Sequence, residues 1–364
     1  MKYYSQCKLI DMVENYIKRE KTFFKIGRYR IEFIDRVDEI KKLMEWIDTG
    51  APFIYFIYGP EGCGKTALLS HFLNIVGDDI IPIYINAIER SNPESALISP
   101  NILKIKNIIK DVVGESGGFI GPALAQGVIA VIDKVSSIVR LKDKCLAIMI
   151  DDVVQSIGLG KIEGYIKWLY ESMPKISEKY GLKSITMIAT TSEGISRRLI
   201  ERHAYSITYL IWNLLKGDYI RLAEQLDPIN KNIIEETWRL TGGNPRTLIQ
   251  IALAYKWNIE KWLEGIEERL NETIIKIRSL KLEKELQKII ENIDIIYLKP
   301  DKNIFKLREI LEKENLIIYK YKTTLRETRI KENREIGIGK YYAWQIPAYM
   351  KILESKYNNS KSRL

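Results

Sequence analysis

Gly59-Pro60-Glu61-Gly62-Cys63-Gly64-Lys65-Thr66 fits the spacing GxxxxGK[ST] at every fixed position. Glycines let a loop curl until successive backbone N–H groups point at one centre, and such a centre holds phosphate oxygens. A helix starting just behind the loop adds the positive end of its dipole. Lys65 would reach the β- and γ-phosphates, and the Thr66 hydroxyl would sit on Mg²⁺. The chemistry implied is the grip of a nucleoside triphosphate by Gly59, Pro60, Glu61, Gly62, Cys63, Gly64, Lys65, Thr66 and Ala67. A plain turn between strand and helix would need the glycines but neither Lys65 nor Thr66.

Three further stretches offer groups for the reaction. "CLAIMIDDV" (145–153) is an apolar run ending in two adjacent carboxylates, Asp151 and Asp152. Ligands of open α/β sheets bind at such strand ends. Asp151 would hold the metal through water, and Asp152 would orient or deprotonate the attacking water. In isolation an Asp-Asp pair after a strand reads as a helix cap; behind a phosphate loop it reads as a catalytic pair. "ITMIATTSEG" (185–194) ends in hydroxyls; its resemblance to ATPases with an extra strand between the P-loop strand and the acid-bearing strand implies that Thr190 or Thr191 senses the γ-phosphate, with Thr191 placed among the catalytic residues. "TGGNPRTL" (241–248) opens a helix on which Arg246 would swing over the nucleotide. Gln155 is a further polar candidate.

These groups need a scaffold. Apolar runs recur at 53–58, 80–85, 146–150, 185–189 and 205–210, separated by helix-length segments. None alternates polar with apolar, so each is expected to be buried on both faces, as in a parallel sheet between helices. From about residue 211 the strand pattern gives way to helices, with "TGGNP" as a break. "IEFIDRVDEIKKLMEWI" (31–47) predicts a helix capped by Asp35, with Ile40, Leu43, Met44 and Ile47 as its buried stripe. Beyond residue 300 the order is helix, strand, charged segment, strand, helix. The expected division is an N-terminal helical segment (1–30), a P-loop ATPase domain (31–210), a helical lid (211–275) and a winged-helix-like domain (276–364).

The 364-residue chain has a formal net charge of +10, which permits a nucleic-acid partner without requiring one. Three separated cysteines and two histidines make no metal or disulfide spacing. The apolar stretch at 117–132 is too short to span a bilayer. No NKxD specifies guanine. A cytoplasmic protein without a membrane segment is expected.

Together "FIDRVDEI", "GPEGCGKT", "MIDD", "ATTSEG" and "GGNPR" resemble the archaeal ATPase family of the STAND group, related to AAA+ and to the initiator ATPases of replication origins. The resemblance runs from about 31 to 260. It implies that Phe33, Ile34 and Arg36 border the adenine, with Asp35 where relatives usually carry glycine. It makes Asp151 and Asp152 the Walker B pair and Arg246 the sensor-2 arginine. Arg197, Arg198 and Arg202 are candidates for a finger offered to a neighbouring subunit. It also implies a C-terminal winged helix.

The fold class expected is α/β: a P-loop parallel-sheet ATPase domain, AAA+/STAND-like, with helical lid and C-terminal winged helix. The expected function is an ATP-hydrolysing switch with ATP or ADP and Mg²⁺ as ligands. Its partner is double-stranded DNA, met through Arg326, Arg329 and Lys331 among others. The alternative is a nucleotide-binding adaptor with negligible turnover that meets a protein partner or further copies of itself.

Overall fold

The computed structural model describes residues 21–86, 97–98, 122–137, 139–154, 158–192, 194–202 and 204–361. Residues 1–20 of the expected N-terminal helical segment (1–30) and the candidate Gln155 lie outside these.

The central sheet is built from β3 (Ile54–Tyr58), β4 (Ile80–Asn86), β5 (Leu97–Ile98), β6 (Cys145–Asp151), β7 (Ser184–Thr191) and β8 (Ser206–Leu210), in the order β5-β4-β6-β7-β3-β8. All neighbours pair in parallel except β4 with β5. β7 therefore lies between the strand before the phosphate loop and the strand ending in the two acids. The absence of alternation has the anticipated cause. Ile54 and Phe56 of β3 face one core, closed by α3 (Pro122–Ser136) and α4 (Ile162–Tyr180). Tyr55 and Ile57 face a second core, closed by α1 (Val37–Thr49) and α2 (Lys65–Ile75). Period-2 side chains buried on both sides leave no polar face to alternate with.

Before α1 the chain forms a hairpin, not a helix. β1 (Phe23–Ile26) pairs antiparallel with β2 (Tyr29–Glu32), turning at Gly27 with φ 58°. α1 buries Ile40, Leu43, Met44 and Ile47 as its spacing demands. Asp35 does not cap it: no side chain caps this helix, and Arg36 occupies the cap position with φ 76°. The Asp35 carboxylate turns to Arg326 instead.

After β8 come α6 (Lys216–Glu224), α7 (Lys231–Thr241), α8 (Pro245–Leu253), α9 (Ile259–Ser279), α10 (Glu283–Glu291), α11 (Ile295–Leu298) and α12 (Lys302–Lys313). Asn230, Asn244, Asn258 and Asp301 cap α7, α8, α9 and α12 through their side chains, as short polar residues at helix starts should. β9 (Ile317–Tyr319) and β10 (Tyr342–Trp344) pair antiparallel, and α13 (Pro347–Lys361) closes the chain. α13 packs against α7, α9 and α10, and one apolar core runs from Leu214 to Tyr357. Residue 275 lies inside α9. Among the described residues no helix is long and apolar enough to cross a membrane.

The connection from β9 to β10 returns to the central sheet. The Leu325 N–H donates to Leu210 O (3.0 Å), and the Leu210 N–H donates to Thr323 O (3.0 Å). Residues 323–325 thus close the open edge of β8, and the Leu325 side chain is buried in the α1–α2 core.

Candidate functional site

The phosphate loop leaves β3 and enters α2 through Gly62 (φ 78°) and Gly64 (φ 102°). Both conformations belong to the left-handed region that a Cβ disfavours. At Gly62 space adds a second constraint: a Cβ there would lie 2.6 Å from Cβ of Arg246. Among the described residues, no acceptor meets the N–H groups of Gly62, Gly64, Lys65, Thr66 or Ala67. Five unsatisfied donors at one helix start form an anion cradle. Lys65 is nearly buried and folds back, its Nζ donating to Gly59 O (3.0 Å) and Pro60 O (3.1 Å). Thr66 is exposed at the mouth of the loop.

The acid pair ends β6 beside this loop. Asp151 is 3% exposed and accepts hydrogen bonds from the Tyr84 hydroxyl (2.8 Å) and from Thr190 Oγ1. It pairs with no cation among the described residues, so a buried carboxylate has only neutral donors. Such a group suits a divalent cation, which would supply the missing charge. Asp152 sits at φ 49°, with its N–H given to Thr190 Oγ1 (2.9 Å) and its Oδ1 accepting from Ser192 Oγ (3.2 Å). Burial, and then the neighbouring Asp151 carboxylate, raises the Asp152 carboxyl above the usual range, against the pull of Lys65. A raised carboxyl is the environment of a base that must accept a proton. Thr190 thus bridges both acids from β7. Thr191 is buried next to it, in register with Tyr58.

Glu61 is where three parts of the chain meet. Its carbonyl accepts from Asn244 Nδ2 (2.7 Å) at the start of α8. Its carboxylate accepts from Arg246 Nη1 (2.9 Å) and Asn315 Nδ2 (3.2 Å). Its N–H donates to Gln345 Oε1 (2.8 Å), and Gln345 Nε2 in turn donates to Asn315 Oδ1 (2.5 Å). Asn213 joins the network, accepting from Asn244 Nδ2 (3.1 Å) and donating to Gln345 O (3.4 Å). The helices after β8 and the β9–β10 unit therefore both touch the phosphate loop itself. The side chain of Arg246 is 66% exposed and leans on Glu61 over the cradle.

On the side expected for the base, Phe33 packs against the α1–α2 core and Ile34 against the helical core beyond β8, so this segment straddles the two. The guanidinium of Arg36 is buried and turned inward on protein acceptors. It donates to Glu39 Oε1 (2.8 Å), Cys63 O (2.9 Å) and Trp212 O (2.7 Å). Arg36 positions the phosphate loop rather than offering a free cation. Arg326 completes this cluster, donating through Nε to Glu39 Oε1 (2.9 Å) and through Nη2 to Asp35.

His71 lies under Phe33, with ring centroids 4.5 Å apart and Nδ1 2.7 Å from Thr22 Oγ1. Burial pushes its imidazole down to about 4. The unfolded chain takes up this proton near the ordinary value of about 6.5, the folded chain only near 4. Stability is therefore expected to fall as pH drops through that window. His71→Gln should flatten the loss in melting scans between pH 7 and 4; an unchanged pH profile would remove His71 as its source.

All three finger candidates make contacts within the chain. On α5 (Gly194–Ile200), Arg197 lies 4.3 Å from the Tyr319 ring and donates to Glu201, and Arg198 pairs with the buried Glu312 of α12. Arg202 is exposed and 3.3 Å from Glu163. Cations near the C-terminus do likewise. Arg326 and Lys322 pair inward, with Asp35 and Glu39 and with Glu201. Arg326 is not a free phosphate contact.

Residue types alone did not point to Tyr84, Asn213, Asn315 or Gln345. A signal existed for two of them: Asn213 in "IWNLL" and Gln345 in "YAWQIP" are single amides in apolar runs. A buried amide costs free energy unless it is hydrogen-bonded, so each implied a partner. The partner's identity was not implied.

Residues 33–251 match the family of ATPase domains found predominantly in Archaea. An uncharacterized ATP-binding protein of Pyrococcus abyssi is 25% identical over 281 residues, covering 70% of this chain and 81% of that protein. Another, from Methanocaldococcus jannaschii, is 24% identical over 342 residues, covering 83% and 87%. A structure of the Aeropyrum pernix ORC2 protein in ADPNP–ADP complexes aligns over 93% of this chain and 100% of its own, at 14% identity and a TM-score of 0.45.

Proposed function

Since the chain belongs to the family of ATPase domains found predominantly in Archaea, we propose that it is a cytoplasmic ATP-hydrolysing switch that acts on DNA. The observation that carries this reading is the cradle of five unpaired N–H groups beside an acid pair whose first member, Asp151, is buried, with Arg246 over it. ATP binds between the sheet domain (31–210) and a helical lid (211–275), with Phe33, Ile34 and Arg36 towards the base. Lys65 leaves the Gly59 and Pro60 carbonyls for the phosphates. Thr66 and Asp151 hold Mg²⁺, which when bound neutralises charge building on the phosphate oxygens. Asp152 takes the proton of the attacking water, held in place by Thr190 and Ser192, and Thr191 stands behind them at the end of β7. Arg246 exchanges its Glu61 partner for the γ-phosphate and so tells the lid which nucleotide is present.

The remainder (276–364) reads as a winged-helix-like domain, with α12 as recognition helix and the β9–β10 connection as wing. Exposed Lys302, Lys306, Lys313, Lys331 and Arg334 support contact with a duplex backbone. A second reading, an adaptor with negligible turnover for a protein partner or a further copy, is favoured by one observation. Lys65 and Arg246 are both held by protein oxygens, so the site is at rest until something displaces them.

The test is steady-state ATP hydrolysis with and without duplex DNA, beside Lys65→Ala. Losing a charged donor at the transferring phosphate should cost about 10²–10³-fold in turnover. Turnover raised by DNA and abolished in the variant supports the switch. Nucleotide retained without turnover in either condition supports the adaptor. Parental turnover in Lys65→Ala would refute both.

A further inference from the structure

We propose that the C-terminal unit carries a site for single-stranded nucleic acid, in which unpaired bases stack on a tyrosine platform. Tyr297 and Tyr341 lie parallel, ring centroids 3.9 Å apart at 16°. Tyr321 follows at 4.9 Å from Tyr341, and the Arg329 guanidinium covers Tyr321 at 4.2 Å. Lys340 Nζ is 5.3 Å from the Tyr341 ring. Tyr297 remains 51% exposed, so the group of rings ends on one open to solvent.

The platform is rigid. Asp294, 4% exposed, accepts the backbone N–H groups of Lys340 (2.6 Å), Tyr341 (2.8 Å) and Tyr342 (3.2 Å). The same residue starts the helical turn carrying Tyr297, its carbonyl accepting the Tyr297 N–H at 2.9 Å. One buried residue, Asp294, thus ties both stacked rings together, its carboxylate holding the backbone at Tyr341 and its carbonyl the N–H of Tyr297, and binding need order little more.

Charge selects the occupant. Among the described residues Lys299, Arg329, Lys331 and Lys340 have no salt-bridge partner, whereas Arg326 and Lys322 are paired towards the sheet domain. Arg329 and Lys340 lie against the rings, and such cations beside an open aromatic face fit a chain that carries both phosphates and free bases. In a duplex the bases are already stacked, so it would engage the cations alone. The tyrosine platform is distinct from duplex contact through α12, although Lys331 of the wing could serve either strand form, and the site does not depend on ATP turnover.

The experiment is fluorescence anisotropy of the full chain with labelled 20-mers of dT and of U, and with a 20-base-pair duplex, across a salt series. Stacking contributes about 1–3 kcal/mol per base, so Tyr297→Ala should weaken single-strand binding by roughly 5- to 150-fold. Tyr297→Phe should retain it, and duplex binding should not change. Arg329→Gln removes one cation from the phosphate chain and should lower the salt slope by about 0.7. The dT and U arms distinguish DNA from RNA as the strand. Absence of single-strand binding at low salt would overturn the proposal. So would equal affinity in Tyr297→Ala, or a duplex bound as tightly with the same dependence on Tyr297. ATP hydrolysis measured on the same variants separates this outcome from failure of the switch reading.

Discussion

Asp152→Asn is expected to lower ATP hydrolysis by about 10²–10⁴-fold, the range for losing a positioned general base, while nucleotide still binds. That corresponds to about 3–5 kcal/mol on the barrier. Three observations motivate it. Burial and Asp151 raise the carboxyl; Thr190 holds the backbone N–H; and Ser192 fixes the carboxylate through Oδ1. Asparagine keeps the shape and can keep the hydrogen bond from Ser192, but it cannot take a proton. Phosphate release under single-turnover conditions, beside titration with a fluorescent ADP analogue, separates chemistry from binding. Asp151→Asn should behave differently, losing Mg²⁺-dependent affinity as well as turnover. Asp152→Asn hydrolysing at the parental rate would remove it as the base.

Arg326→Ala is expected to be the most damaging of the C-terminal substitutions, at about 3 kcal/mol. That is the lower end for removing one partner of a buried ion cluster, because Arg326 keeps 21% exposure. The loss has a defined cause. Asp35 and Glu39 would share Arg36 alone, and the Glu39 side chain is only 3% exposed. Glu39 Oε2 already lacks a partner. The segment carrying Leu325 would then release from the edge of β8, leaving Leu210 without its two backbone bonds. Thermal melts and limited proteolysis within residues 320–341 should report this. A cycle with Asp35→Asn should be non-additive, since removing both charges costs less than orphaning one. The cluster faces the phosphate loop through Arg36, so weaker nucleotide binding should accompany the loss. A variant of parental stability that is weakened only in duplex binding would instead return Arg326 to the DNA contacts.

Much of the site could be read from residue order because its signals are local. GPEGCGKT encodes a loop whose glycines need φ values of 78° and 102°, and those follow from eight consecutive residues. MIDD places acids at a strand end because an apolar run buried on both faces can stop only where the chain leaves the sheet. Asn244 before Pro245 marks the start of α8 for an equally local reason: it caps, and proline accepts the first helical position.

Contacts between distant segments were not legible, because nothing in the type of a residue names its partner. Asp35 suits a helix cap as well as it suits an ion pair. Only the return of the β9–β10 connection, almost 300 residues later, draws it to Arg326. Arg326, Arg329 and Lys331 look alike in sequence, yet one is folded into the nucleotide side and the others face outward. The meeting of Asn244, Asn315 and Gln345 on Glu61 depends on packing three segments against one loop. The sequence by itself determined that a phosphate loop, an acid pair and a buried parallel sheet exist, since each follows from periodicity and local backbone chemistry. Tertiary structure alone decided which cations are spent holding the chain together and which are left for a ligand, since burial and pairing are properties of the assembled surface.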